Sequence, residues 1–213
     1  MVKIKIRGKR YNCPTKWEEV KDLAGLCTKS TLRDEINFLT GSDLEGIPDD
    51  QVFPLITLTS FLEEFDLPTV EAADVNAESY FKMQSARGIL TLPGRAYIKL
   101  YQLCKLYHPE RTETVQILST GAILLDRITL FLSAYEEMFA YEPEAEEIQA
   151  GIEELSGLSA FATVYNLAGK DILKMDAVGE STAAIVYGAL FYNFKEAEYQ
   201  KRLNEIRYPK PTT

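Results

Sequence analysis

The sequence predicts an α+β fold that is mainly α, with an N-terminal β-hairpin packed on helices and a C-terminal helical bundle. Strict alternation of apolar and polar residues occurs clearly in one place, residues 2–6, whereas apolar residues recur at helical spacing in at least five segments. The chain has 213 residues, of which 46% are hydrophobic, and it is therefore long enough to bury a substantial core.

The hairpin is predicted from the first thirteen residues. Residues 2–6 read VKIKI, in which apolar and cationic residues alternate as they do in a strand with one buried and one solvated face. Gly8 and Lys9 permit a tight turn, after which Tyr11 and Cys13 continue the apolar face on a returning strand. A lone hairpin is marginal in water, so we expect helices to cover it.

A first helix is predicted directly after the hairpin. Thr15 and Glu18 have the spacing of a capping box, in which each side chain accepts a hydrogen bond from a backbone N–H of the first turn. This pattern predicts a helix of two to three turns that directs Trp17 and Val20 towards the sheet.

Most of the remaining chain is predicted to be helical. One helix covers residues 30–40 and ends at Gly41, and another runs from Pro48 to about Phe65. Residues 66–95 leave two alternatives open, namely one or two short strands or a short helix around Tyr80. Further helices are expected from residue 94 to His108, at residues 114–139, over residues 158–167 and at residues 179–206.

Two of these helices carry specific expectations. The helix at 114–139 is the most apolar, but Asp126 and Arg127 interrupt its run below the roughly 20 apolar residues of a bilayer span, so we interpret it as a core helix. In the last helix one stripe at helical spacing is predicted to face the core. This stripe consists of Ala183, Val186, Leu190, Phe194 and Ala197.

The pattern indicates two domains and a tail. We expect a small α+β domain over residues 1–93, a helical domain over residues 94–208 and a frayed tail over residues 209–213, where Pro209 and Pro211 oppose a helix.

The motif search indicates that the protein is not an enzyme. The segment GESTA at 179–183 lacks the second glycine and the preceding strand of a nucleophile elbow. The segment GKRY at 8–11 lacks the upstream glycine of a phosphate-binding loop, and no G-x-G-x-x-G occurs. We therefore expect no catalytic residues and no cofactor.

Metal binding is not expected either. His108 is the single histidine and stands at a predicted helix end, where a cation complements the helix dipole. Cys13, Cys27 and Cys104 are too far apart for a C-x-x-C zinc site, and they favour a reduced intracellular setting. The acidic residues between 136 and 147 lack the alternating ligands and the glycine of a calcium loop.

Protein binding is the function class that the surface residues favour. The net charge of −9 disfavours nucleic acid as the main partner. Arg7, Lys9 and Arg10 form a cationic hairpin tip that suits an acidic partner surface, with a merely solvated tip as the alternative. Tyr192 and Tyr199 are seven residues apart on nearly one helix face, away from the core stripe. We predict that they bind a partner, unless a neighbouring helix of the same chain buries them.

Two stretches resemble a known family. Residues 2–20, VKIKIRGKRYNCPTKWEEV, resemble the opening of tail-assembly chaperones and related tail proteins from tailed phages of Bacteroidetes-type hosts. Residues 150–178, AGIEELSGLSAFATVYNLAGKDILKMDAV, and the helix that ends EAEYQKRLNEI resemble the C-terminal part of the same proteins. Trp17, Glu18 and Val20 match the family's helix start, and Lys21-Asp22 departs from its threonine-containing continuation.

The resemblance implies a non-enzymatic phage protein that takes part in virion assembly. A tail-assembly chaperone would work in the host cytoplasm and bind tail or connector proteins without entering the particle. The alternative is a structural virion component, such as a head–tail connector or ring subunit. In both cases the expected partners are other phage structural proteins, with a homo-oligomer as a further option, and neither nucleic acid nor a membrane is expected as the main partner.

Overall fold

The computed structural model describes residues 1–6, 9–41, 47–48, 59–63, 67–140, 143, 145–151, 154 and 159–208. Across these residues the chain is mainly helical with one two-stranded antiparallel sheet at the N-terminus, so the predicted α+β, mainly α fold class is confirmed. Three predictions lie wholly or largely outside the described residues: the position of Arg7, most of the helix between Pro48 and Phe65, and the tail at 209–213.

The hairpin consists of β1 (Val2–Ile6) and β2 (Lys9–Cys13). Single 3-10 turns occur at Trp17–Glu19, Ser60–Glu63 and Ile172–Lys174. The described helices are α1 (Leu23–Cys27), α2 (Leu32–Thr40), α3 (Tyr80–Thr91), α4 (Ala96–Tyr107), α5 (Thr114–Ser133), α6 (Glu136–Phe139), α7 (Ala145–Gln149), α8 (Ser159–Leu167), α9 (Met175–Gly179) and α10 (Ala183–Arg207).

The chain divides into two compact units, each built from two segments. The first unit comprises Met1–Ala73 and Gly88–Asp126, and the second comprises Asp74–Arg87 and Arg127–Thr213.

The hairpin register agrees with the predicted alternation. Ile4 pairs with Tyr11 and Val2 pairs with Cys13, so the register sets apolar positions of the two strands opposite each other. Lys9 already belongs to β2, where it pairs with Ile6. Cys13 is completely buried.

The predicted first helix is wrong in its length and in its cap. Residues 17–19 form one 3-10 turn whose N-cap, Lys16, makes no side-chain cap bond, and Val20 is already extended. The backbone N–H of Thr15 donates to Glu19 Oε2 at 2.9 Å instead of entering a box with Glu18. Trp17 and Val20 are nevertheless both buried, and the cluster that they join includes Leu23 and Tyr97.

The next two helices begin with side-chain caps. Asp22 accepts a hydrogen bond from the Gly25 N–H at 2.8 Å at the start of α1, and Thr31 accepts one from the Asp34 N–H at 3.1 Å at the start of α2. The end of α2 is as predicted, because Gly41 adopts a left-handed φ of 63° that favours glycine.

Aromatic side chains organise the core of the first unit. The Trp17 ring packs against Phe61 and Tyr97, with ring centroids 5.2 and 5.6 Å apart. The buried residues of this cluster are Trp17, Val20, Leu23, Leu26, Phe61, Leu62, Tyr97, Leu100, Cys104, Ile117 and Leu118.

A buried carboxylate joins α2 to α4 in this unit. Glu35 is 2% exposed and accepts a hydrogen bond from the Tyr97 hydroxyl at 2.6 Å, and Arg95 lies 3.3 Å from its other oxygen. Burial and the Glu35 carboxylate both raise the pKa of Tyr97. The hydroxyl therefore stays protonated and donates to the carboxylate, which would otherwise be costly to bury.

Helices α4 and α5 touch through their backbones at Gly121. A Cβ atom added at Gly121 would lie 2.1 Å from the Leu100 carbonyl oxygen, which is closer than any real contact. Glycine is therefore required here for space rather than for backbone conformation.

The second unit corrects two sequence-based expectations. Residues 80–91 are helical, which resolves the alternatives at 66–95 in favour of a helix at Tyr80. The helix predicted at 114–139 ends at Ser133, because Tyr135 leaves helical geometry with ψ 13° before α6 begins. The Tyr135 ring then packs against Tyr187, with centroids 5.3 Å apart.

Helix α5 is a core helix by burial, as predicted. Leu118, Leu124 and Ile128 are completely buried. By length and composition it is also the one described helix that would suit a bilayer span, and 44% of its apolar stretch is buried.

Replacing Gly121 by alanine should destabilise the protein by about 3 kcal/mol, because the new methyl group meets backbone that cannot rotate away. Urea unfolding followed by circular dichroism measures the change. Gly88→Ala is the matched control: it is also a helical glycine, but nothing lies within 4 Å of an added Cβ. The control should be neutral or stabilise by up to about 1 kcal/mol, and equal effects of both variants would contradict the close contact.

Tyr97→Phe should cost about 1.5–3 kcal/mol, because it leaves a buried carboxylate without its hydroxyl donor. Combining it with Glu35→Gln in a double-mutant cycle should give a coupling of about 1–3 kcal/mol in unfolding free energy. Additive effects would show that the two side chains do not depend on each other.

Candidate protein-interaction surface

Tyr187 anchors α10 in the second unit. Its ring is 1% exposed and contacts Phe131 and Tyr80, with centroids 5.2 and 5.7 Å away. Its hydroxyl accepts a hydrogen bond from Gln84 Nε2 at 3.0 Å. Because aromatic rings pack against this ring and its polar end is satisfied, the rotation of α10 about its own axis is fixed.

Backbone pairing holds the start of α10. Ser79 and Thr182 form an antiparallel bridge, in which the Tyr80 N–H donates to the Ser181 carbonyl at 2.9 Å and the Ala183 N–H donates to the Glu78 carbonyl at 2.7 Å. Helices α3 and α10 therefore begin at the same place in the second unit.

The side chains of α10 make fewer contacts with the rest of the unit towards the C-terminal end of the helix. Ala183, Val186 and Tyr187 are its buried residues. Phe191 is half-buried, and its ring lies 5.8 Å from that of Tyr135. One turn further, Lys195 binds Glu137 and lies 3.1 Å from Glu198; the bond to Glu137 raises the pKa of this lysine.

The predicted core stripe of this helix is therefore correct only in its first half. Ala183 and Val186 are buried, Leu190 and Phe194 are half-buried, and Ala197 is exposed. The C-terminal part of α10 keeps its apolar residues without a core to bury them.

The outward face of α10 carries large apolar side chains at intervals of seven residues. Ile185, Tyr192, Tyr199 and Ile206 are 66%, 66%, 55% and 78% exposed. Tyr192 lies two residues beyond Leu190, about 200° around the helix, and so faces nearly opposite to it. Ala189, Glu196 and Leu203 each lie four residues after one of the first three of these residues, and they therefore fall beside them on the same helix face. We call the whole set the outer seam: Ile185, Ala189, Tyr192, Glu196, Tyr199, Leu203 and Ile206.

The predicted partner-binding residues are only partly brought together. Tyr192 and Tyr199 lie on the outer seam in the second unit, whereas Arg10 is an exposed residue of β2 in the first unit. The backbone of Lys9 is in β2, and Arg7 lies outside the described residues.

Sequence reasoning missed Ile185 and Ile206. The signal was present, because the seven-residue interval between the two tyrosines continues by one step in each direction. A search for longer repeats of that interval would have found both isoleucines.

An open groove lies elsewhere on the second unit. Its volume is about 590 Å³, and its lining includes Asp74, Arg127, Leu130 and Tyr135. The Leu130 side chain at its edge is 74% exposed. Oppositely charged and apolar groups line the same groove.

Residues capable of chemistry have structural partners. His108 caps the C-terminal end of α4, as the sequence predicts; its Nε2 accepts a hydrogen bond from the Ala73 N–H at 3.1 Å, and its Nδ1 lies 3.3 Å from Glu110 Oε1. The Ser181 hydroxyl donates to the Ala177 carbonyl at 2.8 Å. Within the described part of the chain, no three histidine, cysteine or acidic side chains are grouped as metal ligands would be.

The three cysteines are free thiols in protected surroundings. Cys13 and Cys104 are buried, and burial raises the pKa of each. Burial, helped by the charge of Asp22, raises the pKa of Cys27 to about 12. A thiol with so high a pKa holds little of the reactive thiolate at neutral pH.

Comparison with protein-family models, with curated proteins and with solved structures found no match to this chain.

Cys27 should therefore react slowly with iodoacetamide in the native protein at pH 8, and the rate should increase as the pH rises towards 12, because only the thiolate attacks. Mass spectrometry of the labelled peptides measures the rate at each cysteine. The same reaction in urea is the control, in which all three thiols should react at ordinary rates. Fast labelling of Cys27 in the native state would contradict the raised pKa of this half-buried thiol.

Proposed function

We propose that this protein works without catalysis, by binding another phage protein, and that it is a tail-assembly chaperone. The observation that carries the proposal is the outer seam of α10, where four large apolar side chains at seven-residue intervals are all more than half exposed. Soluble proteins rarely leave an aligned apolar surface of this length uncovered unless a partner covers it.

The composition of the seam supports a binding role. Tyrosine is among the residues that dominate binding energy at interfaces, because its ring buries a large area with few rotatable bonds. The two tyrosines stand at the centre of the seam with an isoleucine at each end. This order resembles the arrangement of an interface with central anchors.

The structure of α10 itself supports the same proposal. None of its residues after Tyr187 is buried, although the helix continues for 20 residues to Arg207. In proteins, most of the stability of a helix comes from the packing of one of its faces and not from helix propensity. A partner that packs along the seam would stabilise this part of the helix.

The phage assignment rests on the resemblance described for residues 2–20 and for the C-terminal part from residue 150 to 206. A tail-assembly chaperone would act in the host cytoplasm, and its apolar seam would cover apolar surface of a tail or connector protein before assembly.

A second candidate is a structural virion component such as a connector or ring subunit. Exposed apolar residues outside α10 favour it: Ile172 and Leu173 are 70% and 89% exposed. A subunit inside a ring needs two interfaces, and these two residues offer a second apolar area.

Quantitative mass spectrometry of purified phage particles separates the two candidates. A chaperone should be abundant in the infected-cell lysate and absent from particles, whereas a ring or connector subunit should occur in particles in a fixed, symmetric copy number. Recovery in particles at that level would overturn the chaperone assignment.

Tyr192→Ala combined with Tyr199→Ala should leave the free energy of unfolding within about 0.5 kcal/mol of the parent, because both side chains are exposed. Capture of tail or connector proteins by the immobilised variant should weaken by about 2 kcal/mol or more, roughly 30-fold. Pull-down from infected-cell lysate and a urea titration measure the two effects.

Two variants control this experiment. Ile172→Ala with Leu173→Ala removes equally exposed apolar side chains away from α10 and should not change capture. Tyr187→Ala should instead destabilise the fold by about 3–5 kcal/mol, because that ring is buried. A tyrosine double variant that behaves like Tyr187→Ala would contradict the interface role.

A further inference from the structure

The outer seam has the spacing of one strand of a coiled coil. Its members follow one another at intervals of four and three residues, from Ile185 to Ile206, which is the alternation of a and d positions in a heptad repeat. The seam covers 22 residues, a rise of about 32 Å along the helix axis. Because a straight helix drifts by about 20° per heptad, a stripe kept at this spacing stays in contact with a partner only if that partner is a helix that coils with it.

The side chains that flank the seam carry only one sign of charge. One flank consists of Gly188, Lys195 and Arg202. The other consists of Asn193, Gln200 and Arg207. Neither flank of this fully described helix contains an acidic residue, although the whole chain has a net charge of −9. Lys195 is already bound to Glu137 and Glu198, whereas Arg202 and Arg207 are exposed.

These charges oppose pairing of the seam with a second copy of itself. In an antiparallel pair, a two-fold axis brings each flank against the same flank of the other copy, so that Arg202 approaches Lys195. In a parallel pair, Glu196 lies on the seam directly against Glu196 of the other copy. Both arrangements bring like charges together, and like charges across a helix interface are unfavourable.

We propose that the outer seam binds an amphipathic helix of a different protein, whose apolar heptad seam is flanked by acidic residues. This inference rests on the proposed protein-binding function and specifies the chemistry of its partner. The acidic flank of the partner helix faces Arg202. Glu196 is the single charged residue on the seam, and it meets a basic or hydrogen-bond-donating side chain of the partner, which sets the register of the two helices.

Two synthetic helical peptides of about three heptads test the inference directly. Both carry leucine at the a and d positions and one lysine at the a position that faces Glu196. One peptide has glutamate on its flanks and the other has lysine. The full-length protein is titrated with each labelled peptide, and binding is followed by fluorescence anisotropy.

The glutamate-flanked peptide should bind at least about tenfold more tightly at low salt, and the difference should shrink as the ionic strength rises. The comparison is stringent, because the net negative charge of the protein by itself favours the lysine-flanked peptide. Equal binding of the two peptides, tighter binding of the lysine-flanked one, or no binding of either would overturn the inference.

Two charge-reversal variants at neighbouring positions of α10 test whether the preference for the glutamate-flanked peptide comes from the flank of the seam. Arg202→Glu should abolish or reverse the preference, because it changes the flank of the seam. Lys201→Glu makes the same change in charge one residue earlier, on the side of the helix opposite the seam, and should preserve the preference. If both variants act alike, the preference comes from the overall charge and the inference fails.

The two proposals can fail separately. If the tyrosine double variant loses its phage partner but the parent shows no preference for the glutamate-flanked peptide, the protein-binding function stands and the partner chemistry is wrong. If the preference appears and depends on Arg202, but no phage protein is lost with the tyrosines, the seam has the inferred chemistry and the phage function fails. Sedimentation that shows a dimer dispersed by the tyrosine variant would overturn the inference in favour of a second copy.

Discussion

The burial of Tyr187 is the interaction on which the second unit depends. Aromatic rings from α3, from α5 and from the turn between α5 and α6 pack against it, and Gln84 satisfies its hydroxyl, so the ring has one favourable position. With that ring fixed, Ile185, two residues earlier, and Tyr192, five residues later, must point away from the core. The exposure of Ile185 and Tyr192 is therefore a mechanical consequence of how α10 is anchored, and the whole seam follows from it.

The first unit differs from the second because it buries polar groups, whose partners make that burial less costly. Glu35 lies in the core because Tyr97 donates to it and Arg95 balances its charge. The same unit accommodates His108 through a backbone N–H and keeps Cys104 protonated by burial. His108 and Cys104 thus each have a structural environment in this unit.

In the proposed complex, shape and charge on α10 would select different properties of the partner. The heptad spacing favours a long helix that coils with the seam. The cationic flanks and Glu196 would select the charge pattern of that helix and disfavour a second copy. A protein that binds in this way needs both properties, since apolar attraction alone would also join it to itself.

The sequence by itself determined the fold class, the hairpin, the glycine at the end of α2 and the burial of Trp17 and Val20, because local periodicity and turn chemistry set these features. It also contained the seven-residue spacing of the two tyrosines. Tertiary packing decided the rest. The first helix is a single turn, after which Val20 is extended, and α5 ends at Ser133 before Tyr135 packs against Tyr187. The sequence could not decide whether Tyr192 and Tyr199 lie in the core or on the surface, because helical spacing is the same for a buried and an exposed stripe. The tertiary structure decided it, because the other helices enclose the Tyr187 ring of α10.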